Sequence, residues 1–203
     1  PRLATAYVFE NGQQIKAPYI DWSVAFSSGA VYSTVQDLWR WRGELLAGRV
    51  LGEKGAKEIF ALRPFGYSFG WHVGRTNQAR LRTFLASDYD AQPAPNNADL
   101  LLASHSGDLP GFHSCMTLFL DRTWTVILLD NHDSKSLPNL AAEIINALLT
   151  RTLEARSTSA PAFRKIDSEI GSFASRFSAK NAPKQRSVER RQMFISRDLL
   201  KPK

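Results

Sequence analysis

Over residues 1–32 short apolar stretches such as Ala6-Tyr7-Val8-Phe9 alternate with turn residues such as Asn11-Gly12, which predicts an extended segment with a hairpin-like turn. At Ser33 the period changes. Ser33-x-x-Gln36 reads as a capping box, and Val35, Leu38, Trp41, Leu45 and Leu46 follow at helical spacing as far as Gly48. A shorter helix is expected over 53–62, ended by Pro64, followed by an aromatic-rich strand over 67–73 and a second strand over 80–85. Residues 88–99 hold Pro93, Pro95, two Asn and three Asp, a loop by composition.

The next stretch is strongly patterned. Residues 100–104 form an apolar strand leading into His105-Ser106-Gly107-Asp108-Leu109-Pro110-Gly111, expected to turn because of its two glycines and proline. Strands over 112–120 and 123–129 join at Asp121-Arg122, a hairpin by length and residue type. A helix over 137–153 then carries Leu140, Ile144, Ile145, Leu148 and Leu149 on one face. Strands this close in sequence pair antiparallel, so the expected class is α+β, an antiparallel sheet flanked by helices. Residues 1–154 are read as one body. Residues 155–203 are read as a linker over 155–162, an amphipathic helix at about 162–178 with its seam at Phe163, Ile166, Ile170, Phe173 and Phe177, and a basic tail over 179–203.

Charge alters this picture only at its end. The 203 residues carry 26 Lys and Arg against 19 Asp and Glu, net +7. Residues 1–150 hold 13 basic against 14 acidic residues, and residues 151–203 hold 13 against 5. The basicity therefore describes a solvated tail, and without interleaved aromatics for base stacking no nucleic-acid partner is expected. No apolar run approaches the roughly 18–20 residues of a membrane span. The chain opens at Pro1, and its only methionines are Met116 and Met193, so a fragment or processed product is expected.

Cys115 is the only cysteine, which excludes an internal disulfide and a cysteine-rich zinc site. His113 lies two positions from Cys115 on one strand face, with His132 nearby, as metal ligands sometimes do. A buried free cysteine is the simpler account, and no metal or cofactor is expected. Trp39, Trp41, Phe69 and Trp71 could form a stacking wall for substrate, but aromatics at helix and strand spacing are expected to be core. A Ser106 nucleophile with His105 as its base is disfavoured, because neighbours on a strand point to opposite faces.

Taken together, several pieces resemble the serine β-lactamase and penicillin-binding-protein-like hydrolases. His105-Ser106-Gly107 at a strand end resembles their third active-site motif, Lys-Thr-Gly or His-x-Gly. Ser28-Gly29-Ala30-Val31-Tyr32-Ser33-Thr34-Val35-Gln36-Asp37-Leu38 is similar to the family's helix entry, Tyr67-x-x-Gly70-Trp71 to its Tyr-Gly-x-Gly-Trp strand, and Asp130-Asn131 to its Leu-Thr-Asn strand end. No serine here has a lysine at the third place after it, and no Tyr-x-Asn occurs. The resemblance therefore implies the carboxyl-terminal part of such a hydrolase, which cleaves an amide or ester through an acyl-enzyme, without its nucleophile.

It also implies roles: His105 and Ser106 catalytic, by electrostatic and hydrogen-bonding help, and Gly107 and Asp108 substrate-binding, with the N–H of the residue after the glycine in the oxyanion hole. A carboxylate at Asp108 is unhelpful there unless it points away. Implied partners are a small-molecule or peptide substrate and the missing amino-terminal half. A non-catalytic binding module derived from the same fold is the alternative. If the parent sheet draws strands from both ends of the chain, residues 1–154 leave an open sheet edge, for which the Phe163 to Phe177 helix is a candidate cover.

Overall fold

The computed structural model describes residues 3–29, 31–86, 96–121, 124–133, 137–157 and 192–197. Helices and antiparallel sheets are mixed, as the pattern predicts. Strands β1 (Tyr7–Glu10) and β2 (Gln13–Lys16) form the expected hairpin, in register from Tyr7 opposite Lys16 to Glu10 opposite Gln13. Its turn is Asn11-Gly12, with φ of 50° and 77°. Two consecutive left-handed residues match the twist of a tight hairpin, which is why Asn-Gly serves there.

Helix α1 (Val35–Leu46) starts one residue later than the Ser33 capping box predicts. Thr34 is the cap: its Oγ1 accepts from the Asp37 N–H at 3.1 Å and donates to Asp37 Oδ2 at 3.0 Å, while the Ser33 hydroxyl turns to the Thr34 carbonyl. Asp37 thus stands at the third helical position expected of Gln36, its carboxylate accepting from the cap hydroxyl and not from the cap N–H. Gly48 ends the helix region at φ 71°. Helix α2 (Gly52–Ile59) follows.

The aromatic stretch over 67–73 is not one strand. It folds into β3 (Tyr67–Ser68) and β4 (Trp71–Thr76), a hairpin turning at Phe69-Gly70 with φ of 44° and 87°. A phenylalanine in the left-handed region is uncommon, so nothing but Gly70 marks the turn in the sequence. Nor is 80–85 a strand. Asn77 Oδ1 accepts from the Arg80 N–H at 3.0 Å, and helix α3 (Leu81–Ala86) follows. Leu81, Thr83 and Leu85 fit a period of two, but Leu81, Phe84 and Leu85 fit a helix face equally well, and packing decides.

Strand β5 (Leu100–Leu109) runs straight through His105-Ser106-Gly107-Asp108, where a turn was expected. The turn is Pro110-Gly111 alone, and β6 (Phe112–Phe119) pairs back from Leu109 opposite Phe112 to Leu102 opposite Phe119. Gly107 stays extended: a Cβ there would lie 2.7 Å from Ser114 Oγ, so its glycine serves close approach and not a bend. Strand β7 (Trp124–Asp130) and helix α4 (Leu137–Ser157) complete the expected sequence of elements. Helix α4 takes in residues 155–157 of the expected linker. The Phe163 to Phe177 seam lies outside the described residues.

The basic tail contains a strand that was not expected there. Strand β8 (Gln192–Arg197) pairs antiparallel with β7, from Trp124 opposite Arg197 to Leu129 opposite Gln192. The six-stranded sheet thus runs β3-β4-β5-β6-β7-β8. On one face Leu100, Leu102, Cys115, Phe119, Val126 and Leu128 pack against α3 and α4; on the other Val73, Ala103, Met116, Leu118 and Ile127 pack with Trp71 and with Val35 and Leu45 of α1. The β1-β2 hairpin hangs on the far end of β7: Tyr7 donates to the Asn131 carbonyl, Asp133 N–H donates to the Tyr7 carbonyl, and Asn131 Nδ2 donates to the Thr5 carbonyl at 2.7 Å.

Two variants test this arrangement. Gly111 has φ 73°, and a Cβ there would meet Tyr7 N at 2.8 Å and Tyr7 O at 2.9 Å, backbone that cannot step aside. Gly111→Ala is expected to cost about 1–3 kcal/mol in urea unfolding, and an unchanged midpoint contradicts the docking of the hairpin. Truncation before Gln192 bares the backbone edge of β7; light scattering on heating is expected to show aggregation at lower temperature than for the full chain.

Candidate functional site

Strand β4 pairs with β5 only as far as His72 opposite Ser104. Beyond that point β5 continues for five residues held by β6 on one side, with no described strand on the other. His105, Gly107 and Asp108 are exposed there and Ser106 is half-buried. The sequence-predicted residues thus share one short run of strand whose outer edge is paired by no described strand, next to a sheet interior that is covered on both faces.

His105 has company that sequence reasoning did not assign. Tyr67 Oη lies 3.2 Å from His105 Nε2. The His72 ring lies 5.9 Å, centroid to centroid, from His105 and 4.8 Å from Tyr67. Tyr67 and His72 are a cross-strand pair at the end of the β3-β4 hairpin, so the tight turn at Phe69-Gly70 is what brings the phenol back to the motif strand. Tyr67 was visible in the sequence as the first residue of Tyr-x-x-Gly-Trp; what that spacing concealed was the turn inside it.

The aromatic expectation divides. Trp71 is buried, tilted against Phe60 at 5.6 Å and stacked on Trp41 at 6.3 Å, as core packing predicts. Trp41 and Phe69 are not core: Trp41 is 41% exposed, and Phe69 is 70% exposed with the Arg63 guanidinium 5.6 Å from its ring. Asp130 and Asn131 are buried at the β7 end, where Asn131 tethers the chain before β1.

On β5, alternation places Ser106 and Asp108 on the face opposite to His105 and Gly107. Asp108 reaches His113 across the strand pair, Oδ1 to Nδ1 at 2.5 Å, and His113 Nε2 meets Asp133 Oδ1 at 3.1 Å. Cys115, two residues on, is buried beneath a hydroxyl pair: Ser104 Oγ lies 2.8 Å from Thr117 Oγ1 and donates to the Met116 carbonyl. Burial pushes the Cys115 thiol up to about 11, against the pull of the Thr117 and Ser104 hydroxyls, so it stays a neutral thiol. His132 is buried at the edge of the Phe9 ring, 4.7 Å between centroids. Among the described residues no group of three or more His, Cys, Asp or Glu side chains is placed to hold a metal ion. None of the described helices is long and apolar enough to cross a membrane. An open hollow of about 370 Å³, lined by Val8, Phe9, Ile15, Pro18 and Pro110 among others, belongs to the β1-β2 hairpin and includes neither His105 nor Ser106 in its wall. The site is therefore defined by the motif strand and not by this hollow.

Comparison with known proteins finds no matching family model, no matching curated protein and no matching solved structure.

The state of Cys115 has two measurable consequences. A disulfide reagent at pH 8 is expected to leave it unmodified until denaturant is added. Its folded pKa is raised above the ordinary 9.0, so the full contribution is present below pH 9 and is lost as pH rises towards about 11, at about 1.4 kcal/mol per pH unit. Cys115→Ala is expected to flatten that alkaline decline in urea titrations at pH 8, 9 and 10.

Proposed function

We propose that this chain supplies the His-Ser-Gly strand of the substrate cleft of a serine hydrolase related to the β-lactamases and penicillin-binding proteins, acting on an amide or ester. One observation carries the reading: β5 runs past the end of β4 with His105 to Asp108 accessible and the Tyr67 hydroxyl at the His105 ring. An open strand edge offers main-chain donors and acceptors to an extended substrate. The antiparallel sheet with helices on both faces is the kind of scaffold such a strand needs.

The residues divide the work by chemistry. The His105 imidazole, oriented by Tyr67, meets the carboxylate or developing oxyanion of the substrate. Ser106, on the opposite face from His105, reaches a ligand laid along the strand edge through its hydroxyl, and Gly107 adds no side chain that would hold the ligand off that edge. None of these is the nucleophile. The acyl-enzyme would form on a serine activated by a lysine, which this sequence does not contain.

Binding and turnover test different parts of the proposal. Phenylacetate stands for the carboxylate released by amide or ester cleavage; titrated against the chain, it is expected to shift the His105 and Ser106 amide resonances saturably. His105→Ala is expected to weaken its binding at least about tenfold, about 1.4 kcal/mol. With p-nitrophenyl acetate or a chromogenic cephalosporin, no turnover above the buffer rate is expected. Turnover by this chain that survives both His105→Ala and Ser106→Ala overturns the assignment. No binding and no turnover removes the site.

A further inference from the structure

The awkward residue in the motif strand is Asp108. In the proposed cleft a carboxylate follows Gly107, where negative charge on the substrate would gather, and like charges at close range repel. Its position in the sheet supplies an answer. Asp108 pairs directly with His113, and the ring takes the carboxylate at 2.5 Å through Nδ1. The far side of the same ring faces Asp133 Oδ1 at 3.1 Å.

The three groups differ in how firmly they are held. The His113 side chain is 13% exposed against 70% for Asp108 and 47% for Asp133, so the ring is the fixed member. Asp133 is itself anchored, because its N–H donates to the Tyr7 carbonyl of β1 at 2.9 Å. A carboxylate only accepts, so a ring nitrogen that carries a proton donates to the carboxylate beside it. The bridge therefore runs from the hairpin at one end of the chain, through Asp133 and His113, to the residue that follows Gly107.

We infer that His113 is a positioning residue for the motif strand: by bridging Asp108 to Asp133 it holds the Asp108 carboxylate on the strand face opposite to His105 and Gly107, so that it does not swing over the outer strand edge where a substrate anion lies. This rests on the proposed carboxylate-binding site. Nothing in the Ser106-Gly107-Asp108 run itself announces the role, since His113 lies on the neighbouring strand.

The test is charge rescue. Phenylacetate is titrated against the full chain and against His113→Ala, His113→Gln and the double variant His113→Ala with Asp108→Asn, with urea unfolding measured for each. His113→Ala is expected to weaken binding about tenfold by releasing the carboxylate. The double variant, with no charge to release, is expected to bind within about twofold of the parent chain while remaining as easily unfolded as His113→Ala. A merely structural role predicts weak binding in both. His113→Gln, which keeps an amide donor for one carboxylate, is expected to fall between and carries the comparison if His113→Ala does not fold. Parent-chain binding that none of the His113 substitutions alters overturns this inference and leaves the site standing. A parent chain that does not bind phenylacetate overturns the site, and this role with it.

Discussion

Burial of β6 on both faces is the constraint from which the architecture follows. Five consecutive residues, Cys115, Met116, Thr117, Leu118 and Phe119, are all buried, so the strand has no solvent side. A strand of this kind needs a helical layer above and below, and both are present: α3 and α4 cover Cys115 and Phe119, α1 covers Met116 and Leu118. In this interior the Ser104 hydroxyl is paired with that of Thr117. Strands β5 and β7 are then paired on either side of β6, and β5 runs on past the end of β4. The candidate site is the place where a rigid strand emerges from a sealed sheet.

The larger elements were legible because their period was unambiguous. Helices α1 and α4 show apolar residues at helical steps, β6 and β7 show apolar runs separated by Asp121-Arg122, and Asn11-Gly12 marks its hairpin by residue type alone. The misread elements have definite causes. Leu81, Thr83 and Leu85 satisfy two periods at once, and only packing against α4 selects the helix. Gly107 looks like a turn residue, but it is there so that Ser114 can approach a straight strand. Phe69 occupies a conformation that its residue type does not advertise. Strand β8 was hidden in a segment whose charge suggested solvent, because a strand added to an existing edge is stabilised by backbone pairing that composition does not register.

The site was legible in its motif and illegible in its neighbours. His105, Ser106, Gly107 and Asp108 are adjacent in sequence, so any extended conformation keeps them together. Tyr67 reaches His105 across 38 positions, and Asp133 reaches His113 across 20. Such contacts are made by register, and register is a property of the assembled sheet. The reading of Asp108 shows the difference. As a residue in a string it argues against an anion site; as the cross-strand partner of a half-buried histidine, its charge is already engaged.

The pairing of β7 with β8 bears on the order in which the molecule is made. Strands β4 to β7 and helix α4 can assemble from contacts between near neighbours in the chain, whereas Trp124 must wait for Arg197, and Leu129 for Gln192. Closing so long a loop is slow compared with forming a hairpin. During synthesis the sheet therefore passes through a stage in which β5, β6 and β7 are built and one edge is still vacant. A chaperone that recognises bare strand edges would meet this protein at that stage, after the motif strand is in place and before the sheet is closed.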